Sequence, residues 1–153
     1  MDIKQALITI IFGMAGTFGF ALLFKMRKQL IVWAAIGGGL TCAIYVICAH
    51  FISHEFFQNV FPALFATLYS EVLARLTKSP STQYITCSII PLVPGSSLYY
   101  TMYYFIISDM DNFHKTLTQT ARIAAGLAVG IICVSVVIHL INFQKMKYIY
   151  DID

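Results

Sequence analysis

Charged side chains are scarce in this chain. Its 153 residues hold 10 Lys and Arg and 7 Asp and Glu, so 11% are charged, well below the roughly 25% usual in a soluble domain. That shortage excludes an ordinary water-exposed surface. The net charge of +3 sits in short loops and at chain ends, where it forms no basic patch for nucleic acid and reports orientation instead. Cysteine is also sparse. Cys42, Cys48, Cys87 and Cys133 all lie inside apolar runs, which leaves no disulfide frame and no CxxC knuckle. They read as small packing residues. No nucleophile elbow, phosphate loop or HExxH motif occurs, so the chain is not expected to be an enzyme, and neither a cofactor nor a metal is expected. His50 and His54 are four apart but lack further ligands at fixed spacing. Internal repeats and low-complexity tracts are absent too, which predicts a single membrane domain over 1–153.

Apolar sequence is abundant, with 59% hydrophobic residues. About 20 helical residues cross about 30 Å of hydrocarbon, and five runs have that length: 6–24, 30–52, 56–76, 84–107 and 121–143. The expectation is an all-α integral membrane fold, a bundle of about five transmembrane helices with the fourth broken at Pro91 to Gly95. The first run exceeds a signal-peptide h-region and its basic cluster follows it, so it is expected to remain as a span. Lys25, Arg27, Lys28, Arg75, Lys78, Lys145 and Lys147 fall on one side, and Lys4, Lys115 and Arg122 on the other. This bias predicts an external N-terminus and a cytoplasmic C-terminus in the cell (inner) membrane.

Small residues four apart let membrane helices approach closely. Ala15 and Gly19, Ala35 and Gly39, and Gly126 and Gly130 are the expected packing pairs, with a sliding contact along Gly37 to Gly39 as an open alternative. Ser108 and Asp111 have capping-box spacing, which predicts that the last helix starts before its apolar run.

The most informative stretch is Pro91, Leu92, Val93, Pro94, Gly95, Ser96, Ser97. Proline lacks the backbone donor and pushes its predecessor toward extended backbone, so Ile90 and Val93 are expected to leave the helix. Unpaired backbone at membrane depth survives only inside protein or beside a wet cavity. A half-helix starting after Gly95 would aim free amides at the break, a cradle for a carboxylate with hydroxyls from Ser96 and Ser97 in support. A kink serving packing alone is the alternative. Glu71 lies inside the third run with Arg75 four residues on. The two suit either a proton-coupling or gating carboxylate with its partner, or a structural pair with Arg75 snorkelling. Tyr99, Tyr100, Tyr103 and Tyr104 are interfacial anchors or, for Tyr99 and Tyr103, part of an exit path.

The run Glu71, Val72, Leu73, Ala74, Arg75, then Pro80, then Ile89 to Ser96 resembles the C-terminal membrane half of the threonine/serine exporter (ThrE) family, nearest its small stand-alone YjjB-like subunits. The resemblance implies a subunit of a secondary exporter of small hydrophilic metabolites, threonine and serine or a dicarboxylate such as succinate. It also implies a YjjP-like membrane subunit as partner, in place of the extra N-terminal half of fused members. On this reading substrate contacts Pro91, Pro94, Gly95, Ser96, Ser97, Tyr99 and Tyr103, with Glu71 and Arg75 coupling or gating, and a homo-oligomer is possible. A non-transporting assembly subunit is the alternative. Reporter fusions test the orientation. A periplasm-active phosphatase should work when inserted at Asp111 and fail at Lys28, and the opposite pattern refutes the topology.

Overall fold

The computed structural model describes residues 3–150, with side chains described for 4–141 and 143. Among these residues the chain forms six α-helices and no strand: α1 Ile3–Leu23, α2 Lys28–Phe51, α3 Glu55–Thr77, α4 Ser81–Ile89, α5 Gly95–Ile106 and α6 Met110–Tyr150, with a 3-10 turn at Ile90–Leu92. The all-α membrane-type architecture is the expected one. α1, α2 and the Met110–Ile141 part of α6 are long and apolar enough to cross a membrane. α3 has 23 residues, but Gln58, Asn59, Glu71 and Arg75 dilute its apolar character. The fourth run is divided between helices of 9 and 12 residues, each too short to cross about 30 Å alone. The side chains of Lys145 and Lys147, used in the orientation argument, lie outside the described residues.

Three helices end on a non-glycine residue in the left-handed region: Lys25 (φ 51°), Lys78 (φ 51°) and Ser108 (φ 60°). In each case the following amide reaches back five residues, Met26 to Ala21 at 3.1 Å, Ser79 to Ala74 at 3.1 Å and Asp109 to Tyr104 at 3.0 Å. This is the Schellman arrangement, usually built on glycine. Lysine at two of these ends sets a cation beside the negative pole of α1 and of α3.

The capping box expected at Ser108 and Asp111 does not form, because Ser108 is taken up in closing α5. Asp109 caps α6 instead. Its Oδ1 accepts from the Asn112 amide at 3.2 Å and its Oδ2 from Asn112 Nδ2 at 2.7 Å. The Asn112 side chain first, and its amide second, hold the Asp109 carboxyl below its usual value. The cap therefore contributes in full above the ordinary carboxylate range and is lost as pH falls through the depressed value. α6 begins eleven residues before its apolar run, as expected, and at 41 residues it is roughly 60 Å long.

α2 is the hub, in contact with α1, α3 and α4. Each residue of its glycine run receives a different neighbour: the Tyr69 ring lies against Gly37, Thr17 against Gly38 and Met14 against Gly39. Gly126 and Gly130 do the same for α6 on α3. A Cβ on Gly126 would stand 2.5 Å from the Phe56 carbonyl oxygen, and one on Gly130 2.6 Å from Ala63 Cβ. The Ala15 and Gly19 pair behaves otherwise. Ala15 is exposed and a Cβ on Gly19 would meet nothing within 4 Å. α1 turns Gly13 and Thr17 toward α2, with Gly13 against Cys42, because that face, one residue pair earlier, matches the groove beside Gly38 and Gly39.

Four of the buried hydroxyls are satisfied locally. Thr17, Thr41, Thr67 and Ser70 each donate to the carbonyl four residues back at 2.6 to 2.8 Å. Pro62 is buried within α3 without ending it, so a lone proline is tolerated where two in succession are not. Overpacking a tight contact costs about 1–3 kcal/mol. Gly126→Leu should therefore lower the thermal midpoint in detergent by several degrees while Gly19→Leu leaves it in place, and equal midpoints would contradict this packing.

Candidate functional site

The break between α4 and α5 follows from two missing donors. Pro91 offers no N–H to the Cys87 carbonyl and Pro94 none to the Ile90 carbonyl. The Val93 amide takes over the Ile90 carbonyl at 3.1 Å, closing the 3-10 turn. Val93 is extended as expected (φ −61°, ψ 130°). Ile90 is not: it stays helical (φ −49°, ψ −43°), because Pro91 occupies the first turn of the 3-10 segment, where its fixed φ fits. Pro94 (φ −76°, ψ 59°) forms an inverse γ-turn, with the Gly95 amide on the Val93 carbonyl at 2.7 Å.

The first helical bond of α5 runs from the Leu98 amide to the Pro94 carbonyl at 3.0 Å. Among the described residues the Ser96 and Ser97 amides have no backbone acceptor, and no side chain caps this terminus. Two bare donors thus sit at the positive end of a 12-residue helix.

Inward, the turn is well covered. Leu92 joins Ile89, Ala63, Ala66 and Leu127 in one apolar cluster, and Pro91 Cβ lies 3.8 Å from where a Gly13 Cβ would stand. Outward it is open, with Val93, Gly95 and Ser96 exposed and Pro94 and Ser97 half-buried. α5 then follows α6, its main neighbour, and Thr101 is its buried residue. Ser96, Tyr99 and Tyr103, at helical spacing i, i+3 and i+7, share one face of α5. Both tyrosines are exposed, 66% and 45%, whereas Tyr100 and Tyr104 stack on each other, ring centroids 6.3 Å apart.

Glu71 is half-buried and Arg75 exposed on α3. Ala66 shares the apolar cluster of Leu92, and Glu71 lies five residues, roughly 8 Å at 1.5 Å per residue, farther along α3. Among the described residues no three His, Cys, Asp or Glu side chains gather. Cys42 and Cys87 are buried, Cys48 is half-buried and Cys133 exposed, all as free thiols.

Sequence reasoning missed Ser88. Its Oγ is fully buried and, among the described side chains, has no hydrogen-bond partner. It lies 3.2 Å from where a Gly37 Cβ would stand, beside the Tyr69 ring. The signal was available, a serine in an apolar run three residues before a proline. Two tyrosines that bind helices together also went unread: Tyr69 donates to the Trp33 carbonyl at 2.9 Å, and the Tyr84 hydroxyl meets Thr77 Oγ1 at 3.0 Å.

A family model described as Threonine/Serine exporter, ThrE, matches residues 9–137, a stretch that contains the whole break. No curated protein and no solved structure matches.

An unpartnered buried hydroxyl costs about 1–3 kcal/mol. Ser88→Ala should accordingly raise the thermal midpoint in detergent, and Ser70→Ala, which removes a satisfied hydroxyl, should not. A fall on Ser88→Ala would show that the hydroxyl is engaged.

Proposed function

The chain belongs to the threonine/serine exporter family ThrE, and from that membership we propose that it is a subunit of a secondary exporter of small, hydrophilic, carboxylate-bearing metabolites. Threonine and serine are the first candidates, with a dicarboxylate such as succinate as the other. Transport rather than catalysis is the role the family brings.

The observation that carries the reading is the pair of bare amides at Ser96 and Ser97. Such helix starts favour anions, with about half a unit of positive charge and directed N–H groups, and discontinuous helices of secondary transporters hold substrate carboxylates in this way. Ser96 and Ser97 add hydroxyls, and Pro91, Pro94 and Gly95 keep the backbone unwound. Tyr99 and Tyr103 continue the face and line the exit. Glu71, half-buried on a neighbouring helix, is the coupling or gating carboxylate, with Arg75 as its partner or as a contact for substrate. The N-terminus is external and the C-terminus cytoplasmic, in the inner membrane.

A second membrane subunit, YjjP-like, supplies the missing wall. The open side of the break calls for it, because Val93, Gly95 and Ser96 are exposed there and lipid cannot satisfy free amides. Efflux from vesicles loaded with serine, threonine and succinate, with this chain alone and with its partner, tests the proposal. The doubly substituted Pro91→Ala, Pro94→Ala chain, which restores the missing donors, should insert and assemble but lose at least about tenfold in efflux. Unchanged efflux would refute the site, and loss of assembly instead would favour a purely structural subunit.

A further inference from the structure

Where α2 passes into α3 and α6 begins, two open clefts of about 620 and 480 Å³ lie side by side. Glu55 and Arg122 line both of them. Ser53 and His54 extend the first cleft, while His114, Lys115 and Gln119 extend the second.

The backbones that carry the two shared residues are held at a fixed spacing. Gly126, one turn after Arg122, meets the carbonyl of Phe56, the residue after Glu55, so closely that a Cβ would stand 2.5 Å from it. The α3 and α6 backbones therefore fix how far apart the walls stand. Glu55 and Arg122 have opposite charges, yet among the described residues neither is in an ion pair. An acid and a base that face a common space without reaching each other leave room for a solute carrying both charges.

We infer that this cleft is a recognition site for a free α-amino acid, with the ammonium group at Glu55 and the carboxylate at Arg122, assisted by Lys115. The inference rests on the exporter reading and deepens it by choosing between the two substrate classes. A zwitterion engages both the acid and the bases of the cleft, whereas a dicarboxylate pairs only with Arg122 and Lys115 and leaves the Glu55 carboxylate without a partner beside added negative charge. The location suits a station beyond the break. α5 ends at Ile106 and joins α6 directly at Met110, so the tyrosine face runs from Ser96 toward the end of the bundle that holds the cleft. A carboxylate released by the Ser96 and Ser97 amides would next meet a guanidinium.

The test is calorimetric titration of the full chain in lipid nanodiscs with L-threonine, N-acetyl-L-threonine, L-threonine methyl ester and succinate. On the unaltered protein each blocked analogue should bind at least about tenfold more weakly than L-threonine, since each loses one charge-assisted contact. Glu55→Gln should weaken L-threonine about tenfold and leave the N-acetyl compound unchanged. Arg122→Gln should weaken L-threonine similarly and leave the methyl ester unchanged. Glu55→Asp, which keeps the charge, should recover most of the binding. A structural role would weaken all ligands alike and spare this matching, so uniform weakening, or unchanged threonine binding in both variants, overturns the inference while the exporter reading, tested at the break, stands. If the unaltered protein binds succinate more tightly than threonine, or binds none of the four, the inference falls as well, while the exporter reading is decided by the efflux test with the partner subunit.

Discussion

A backbone amide in hydrocarbon has no water to bond, and each one left bare costs several kcal/mol. This constraint shapes the chain from end to end. It makes helix the default over every apolar run, and it sends the buried hydroxyls of Thr17, Thr41, Thr67 and Ser70 back onto their own helix. The same constraint gives meaning to the one place where two prolines forbid a continuous helix. The chain recovers what it can there, through the 3-10 bond onto Ile90 and the γ-turn at Pro94. The Ser96 and Ser97 amides remain as the residue of that repair, and a solute carboxylate is a group that suits them.

Close approach between helices fixes the surroundings. Gly37, Gly38 and Gly39 each admit a side chain from α3 or α1, and Gly126 and Gly130 bring α6 onto the α3 backbone. These contacts anchor the inner wall of the break through Leu92 and Ala66. They also hold Arg122 opposite Glu55 at the end of the bundle. One polar group stands outside the pattern, the Ser88 hydroxyl, buried against Gly37 without a partner. Its position two residues before the 3-10 segment ties the unsatisfied group to the interrupted part of the fold.

Much of this was legible in the sequence for definite reasons. Hydropathy over runs of about 20 residues located the helices, and the missing N–H of Pro91 and Pro94 located the break, because both are covalent or compositional facts. The Gly126 and Gly130 contact was legible as spacing. What spacing does not carry is the identity of the partner face. Ala15 and Gly19 have the same periodicity as Gly13 and Thr17, and the surface of α2 decides between them. Caps were misread for a related reason. Ser108 and Asp109 both suit a helix start, and the left-handed close of α5 claims Ser108 first. Ile90 was misjudged because the rule for a residue before proline assumes a clash that a short 3-10 turn relieves. Ser88, Glu55 and Arg122 matter through neighbours on other helices, and no linear motif announces them.

The central claim is that the broken helix presents free amides which a carboxylate-bearing solute occupies. Hydrogen exchange at Ser96 and Ser97 in lipid nanodiscs, with and without saturating L-threonine and in the presence of the partner subunit, addresses it directly. The account predicts rapid exchange at both amides without solute, beside slow exchange at Ile85 in the intact helix, and a marked slowing at Ser96 and Ser97 when threonine is added. Amides already protected without solute, or equally rapid exchange with threonine bound, would contradict it.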